Sequence, residues 1–172
     1  MLKLLGAVFI LVASSTAGFR VAKRYADRPR QIRSLLQSLA ILETEIVYGS
    51  RPLAEVMIHI ADREPFPVGK LFRECGTRLR ALDGASAYEC WRRAIEAIWE
   101  QTAMRQPEWE ILLHFGQTLG VSDRQDQLQH IRMAMAHLKA EEQHARDDQA
   151  RYEKMCKSLG ILGGALLVIL MY

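Results

Sequence analysis

The stretch RPRQIRSLLQSLAILETEIVYG, residues 28–49, decides the fold class. Ile32, Leu35, Leu36, Leu39, Leu42, Ile46 and Val47 recur at intervals that place them on one stripe of a helix with 3.6 residues per turn. Pro29 suits the first turn, where its missing N–H has no intrahelical partner to lose, and Gly49 suits the end. The spacing predicts an amphipathic helix between these two residues. No part of the chain shows the period-two alternation of a half-buried strand, so the expected class is all-α.

Working toward the C-terminus, a second helix is expected from about Pro52, with Leu53, Val56, Met57 and Ile60 inward, ending before the Pro65, Phe66, Pro67 turn. A third spans about Val68 to Leu82 and closes at Asp83 and Gly84. Ser86 can cap a fourth, with Glu89 three residues on and Trp91, Ala94, Ile95, Ile98 and Trp99 on its buried face. Gln106 and Pro107 open a fifth, with Trp109, Leu112, Leu113 and Leu119 apolar before Gly120. Ser122 with Gln125 reads as the capping box of a sixth. That last helix meets no proline or glycine until Gly160. Leu128, Ile131, Met135 and Leu138 keep a core stripe, whereas 139–151 offers almost no apolar side chain except alanine and reads as a solvated stalk or partner-binding helix.

Toward the N-terminus, Leu4 to Phe19 carries no charge, and the run continues through Val21 and Ala22 past Arg20, about 19 residues in all, nearly enough to span a bilayer. Leu159 to Tyr172 is also uncharged but covers only about 21 Å of a roughly 30 Å hydrocarbon core. Arg20, Lys23, Arg24, Arg28, Arg30 and Arg33 follow the first run, and Lys154 and Lys157 precede the second; positive flanks stay cytoplasmic. The expected organisation is a transmembrane anchor with basic flank at 1–24, a cytoplasmic six-helix bundle at 25–154 and a second transmembrane segment at 155–172. The competing reading is an exported helical protein whose leader, with Lys3 at its start and small residues from Ser14 to Ala17, is cleaved near Gly18.

The net charge of +3 is too small to point to nucleic acid. Cys75, Cys90 and Cys156 are odd in number and lack metal-ligand spacing, so they read as small apolar residues in a reducing compartment. His130, His137 and His144 repeat every seven residues, which separates neighbours by about 10.5 Å, too far for one metal ion. Glu141 and His144 have the Glu-x-x-His spacing of a helical-bundle metal protein, the other competing reading, but no second such pair accompanies them. Glu43 and Glu45 point to different sides of a helix, and there is no phosphate loop or nucleophile elbow. No catalytic, cofactor or metal residue is expected, and the chain is read as a non-enzyme.

Two stretches join helices through glycine turns: Tyr48-Gly49-Ser50-Arg51-Pro52-Leu53-Ala54-Glu55-Val56 and His114-Phe115-Gly116-Gln117-Thr118-Leu119-Gly120-Val121-Ser122-Asp123. With Gly18-Phe19 and the basic entry from Arg28 to Arg33, they make the chain resemble the stage III sporulation protein AB family over essentially its whole length. That family is similar to the cytoplasmic domain of F-type platform proteins of type II secretion systems, a six-helix bundle. The resemblance implies a mother-cell membrane component of the channel apparatus between mother cell and forespore. It also implies partners: the secretion-type ATPase, stage III sporulation protein AA, and other proteins of the same operon. Platform proteins usually hold two cytoplasmic domains where this chain has one, so self-association would supply the second. The expected partner-binding residues are Gly116, Gln117, Gly120, Ser122, Asp123 and Arg124, together with the exposed half of the last helix.

Overall fold

The computed structural model describes the backbone of residues 2–49, 51–81, 84–120 and 123–171; of the side chains in 2–11, 14–15, 153–154, 156–157, 160–161 and 163–171 nothing is described. Among the described residues six α-helices follow one another: α1 (Leu2–Tyr48), α2 (Leu53–Ala61), α3 (Val68–Ala81), α4 (Ala87–Ile98), α5 (Gln106–Gly116) and α6 (Arg124–Met171), with one 3₁₀ turn at Trp99–Gln101. The chain divides into two compact units, residues 30–142 and residues 1–29 with 143–172. The class is all-α.

In the unit of residues 30–142, the α1 stripe is where the spacing puts it. Ile32, Leu35, Leu39 and Leu42 are fully buried, each worth roughly 1.5–3 kcal/mol in apolar surface removed from water. Consecutive helices from α2 to α5 pack against one another. Trp91 of α4 stands at the centre, its ring 5.5 Å from Phe72 of α3 and 5.6 Å from Phe115 of α5, both edge-on. Its indole N–H donates to the Leu112 carbonyl at 2.7 Å, so the one polar atom of the ring is satisfied inside the core. A Cβ on Gly116 would overlap that indole, whose Nε1 lies 3.0 Å from the Cβ position; glycine lets the end of α5 approach the ring.

Helix starts follow the local chemistry in α4, where Ser86 Oγ accepts from the Glu89 N–H at 3.1 Å. In α5 the fully buried Glu108 accepts from the Arg105 N–H at 2.5 Å. Buried polar groups also tie segments far apart in the chain. Gln31 accepts the Ala103 N–H at 2.7 Å, Ser34 donates to Glu64, and Arg33 pairs with Glu142 at 2.9 Å.

Three expectations need correction. Pro29 does not open a helix; it lies inside α1. An interior proline costs about 3 kcal/mol or more because it removes one helical hydrogen bond and crowds the preceding turn. Arg28 is 4% exposed with its guanidinium 3.6 Å from Asp148, and the Tyr25 and Tyr152 rings lie 5.5 Å apart. The stretch 139–151 is not a wholly solvated stalk, because Glu142 is 8% and Ala145 only 1% exposed. These two continue the stripe of Ile131, Ala134 and Leu138 at helical spacing, an ion-paired carboxylate and an alanine taking the positions that large apolar side chains hold elsewhere. Finally, α6 starts after Asp123, whose carboxylate accepts from the Asp126 N–H at 2.9 Å, so the cap is Asp123; Ser122 lies outside the described residues.

Among the described residues no helix is long and apolar enough to cross a membrane. The runs expected to do so, Leu4 to Phe19 and Leu159 to Tyr172, fall largely on side chains outside the described residues.

Candidate partner-docking surface

The two glycine turns, some seventy residues apart in sequence, meet at one end of the bundle formed by residues 30–142. The first follows the last turn of α1, where the Gly49 N–H donates to the Glu45 carbonyl at 2.8 Å, and then Pro52, extended at φ −57° and ψ 143°, leads into α2. In the second, Thr118 Oγ1 donates to the Phe115 carbonyl at 2.8 Å and the Leu119 N–H to the Gly116 carbonyl at 3.1 Å. Gly120 then turns the chain with φ +80°, in the left-handed region that favours glycine, and its Cβ position lies 3.1 Å from that of Ala87.

Arg124 fastens the turns together. Its Nε donates to the Ile46 carbonyl at 2.5 Å, supplying a donor to one of the carbonyls that the end of α1 leaves without a helical partner. Farther along, Arg132 pairs with Glu43 at 2.6 Å. Between the turns lies a shallow depression of about 300 Å³, floored by Leu42, Ile46, Leu53, Val56 and Leu119 and edged by Glu45, Arg51, Arg124 and Gln127. Arg51 reaches Glu45 at 3.9 Å while half exposed, and such an exposed pair contributes at most about 1 kcal/mol. Tyr48 stands beside this floor with 86% of its surface in solvent.

The residues expected to bind partners therefore divide by role. Gly116 is buried against Trp91 and shapes the core; Gly120 makes the turn; Asp123 caps α6; Arg124 holds the α1 terminus while remaining exposed. Gln117 is exposed, and Ser122 lies outside the described residues. The same end adds Tyr48 and Arg51, which the sequence reading did not single out as contacts. A signal for Tyr48 was present: two residues after Ile46, it lies about 200° around the helix, off the buried stripe.

A second hollow, about 700 Å³, runs between α5 and α6 and gathers Ile111, His114, Met133 and His137 with Glu110 and Glu141 on its borders. His114 and His130 bring their rings to 6.2 Å. Among the described residues no group of three or more His, Cys, Asp or Glu side chains is placed to hold a metal ion. Cys75 and Cys90 are buried, and burial, reinforced by the neighbouring Cys90, pushes the Cys75 pKa up to about 12. A thiol so held is protonated at neutral pH and a poor nucleophile.

The stage III sporulation protein AB family model matches residues 3–172. Stage III sporulation protein AB of Bacillus subtilis (strain 168) is 45% identical over 172 residues, covering 99% of each chain. A solved structure of a stage III sporulation protein AB superposes with a TM-score of 0.69 at 38% identity, covering 73% of this chain and 98% of that one. Full-length identity at this level, on the same all-helical bundle, places the chain in the stage III sporulation protein AB family.

Proposed function

We propose that this protein is a non-enzymatic membrane scaffold of the channel apparatus that joins mother cell and forespore during endospore development. In this reading the apolar ends of α1 and α6 anchor it in the mother-cell membrane and the bundle faces the cytoplasm. The observation that carries the reading is the association of both chain ends in one compact unit, residues 1–29 with 143–172, which brings the two apolar runs of the sequence together on one side of their basic flanks. The turn end of the bundle, with its apolar floor and exposed Tyr48, is the surface offered to the secretion-type ATPase, stage III sporulation protein AA. Other proteins of the same operon meet the anchored part.

The test is complementation of a clean deletion in the source organism, scored by heat-resistant spores and by recovery of the ATPase with the tagged protein. The wild-type gene restores both. The double variant Tyr48→Ala, Arg51→Glu changes two exposed side chains and is expected to lower ATPase recovery at least tenfold and spore counts with it, at unchanged protein level. Normal sporulation of the deletion strain would remove the scaffold role. Undiminished ATPase recovery by the double variant would remove the turn end as its docking surface.

A further inference from the structure

We propose that the unit of residues 1–29 with 143–172 binds the headgroups of anionic phospholipids through a basic collar centred on Arg20, Lys23 and Arg24. The inference rests on the membrane-anchored reading above and assigns a lipid class to it.

The first acid in the chain is Asp27, so the whole preceding segment carries only positive side chains. Arg20, Lys23 and Arg24 are three and four residues apart and share one face of α1, and all three are exposed. Like charges at this spacing repel and weaken a helix by themselves, so an arrangement that keeps them together gains from an external anion. Arg151 on α6 is exposed as well, its guanidinium 5.6 Å from the Tyr152 ring centre.

The order of side chains along α1 matches the profile of a bilayer surface. Apolar residues come first, and Phe19 and Val21 are 50% and 49% exposed; the basic triplet follows; then comes Tyr25, packed on Tyr152; then Asp27. Hydrocarbon, the headgroup layer, where basic and aromatic side chains both sit, and water succeed one another in the same sequence. On α6, Leu159 and Leu162 are 58% and 65% exposed. Among the described residues, the large apolar side chains exposed outside this unit are Tyr48, Phe66 and Met133. Exposed apolar surface is thus concentrated beside the collar, which separates this patch from an ordinary solvated charge cluster.

Guanidinium groups can pair with a phosphodiester through two N–H donors, while a lysine supplies a compact charge. A zwitterionic surface has no net charge to attract them. Each basic residue near an anionic surface strengthens partitioning about fivefold, so the triplet contributes on the order of a hundredfold, reduced by salt.

The experiment synthesises the full chain in a cell-free system with vesicles of phosphatidylcholine alone or of phosphatidylcholine with phosphatidylglycerol at 7:3, and measures flotation at low and high salt. At low salt the phosphatidylglycerol vesicles are expected to capture at least tenfold more protein, and high salt to shrink the difference. The variant R20Q/K23Q/R24Q loses most of it, and its residual flotation with phosphatidylcholine shows that it still inserts. The variant R63Q/R80Q/K139Q, with the same loss of charge at exposed sites in 30–142, keeps the preference. Equal capture by the two vesicle types, or a preference that survives in R20Q/K23Q/R24Q, overturns the collar and leaves the anchors standing. Flotation with neither vesicle overturns the anchored reading and the collar with it.

Discussion

Around Trp91 the interior consists of ring edges, aliphatic side chains and a glycine, whereas in the unit of residues 1–29 with 143–172 the buried groups include a guanidinium paired with a carboxylate. The two regions are held by different physics. Trp91 sits in a dry, close-packed site with its N–H satisfied, so any change of volume is felt at once. Arg28 is buried and its guanidinium lies 3.6 Å from Asp148, which stays partly in solvent, and such a pair adds little net stability. The aromatic core is held by close packing of rings; the ion pair is held by attraction between charges on two helices.

The largest effect is expected at the aromatic core. Trp91→Ala removes the ring on which Phe72 and Phe115 pack and should cost about 3–5 kcal/mol in chemical denaturation of the protein in detergent. A loss under 1 kcal/mol would erase the distinction between the two regions. Gly116→Ala is the converse change, adding a methyl against the indole, and should cost about 1–3 kcal/mol. Its near-neutrality would mean that the end of α5 yields easily.

The dryness of the core can also be read from pH. Because the Cys75 pKa is raised in the folded protein to about 12 from a reference value of 9.0, the unfolded thiol ionises first as pH rises. Stability is whole below pH 9.0 and falls toward pH 12, at up to about 1.4 kcal/mol per unit, and Cys75→Ala should flatten that decline. An identical decline in the variant would assign it to other groups.

The smallest effect sharpens the polar side. Asp148 is 31% exposed, so Asp148→Ala should cost only about 1 kcal/mol, and combining it with Arg28→Met should recover most of that loss. A double variant no better than the single one would show that the pair is not acting as a unit.

What was legible from sequence is local. The stripe from Ile32 to Leu42, the Ser86 cap, the glycine turns and the aromatic face of α4 depend on side chains within a few residues of one another, and periodicity reports them directly. The candidate docking end was legible in halves: Gly116 to Arg124 reads as a turn, but that it faces Gly49 and Arg51 did not follow from spacing.

Amino-acid order by itself therefore determined the all-helical class, most of the helix starts and the family to which the chain belongs. Tertiary structure alone decided that Pro29 lies within α1, that Glu142 is buried against Arg33, 109 residues away, and that Arg124 completes the hydrogen bonding of α1 at Ile46. The reason is physical. A cap or an apolar stripe is satisfied by neighbours in sequence, whereas a buried charge or an exposed helix carbonyl takes whatever partner folding brings within about 3 Å.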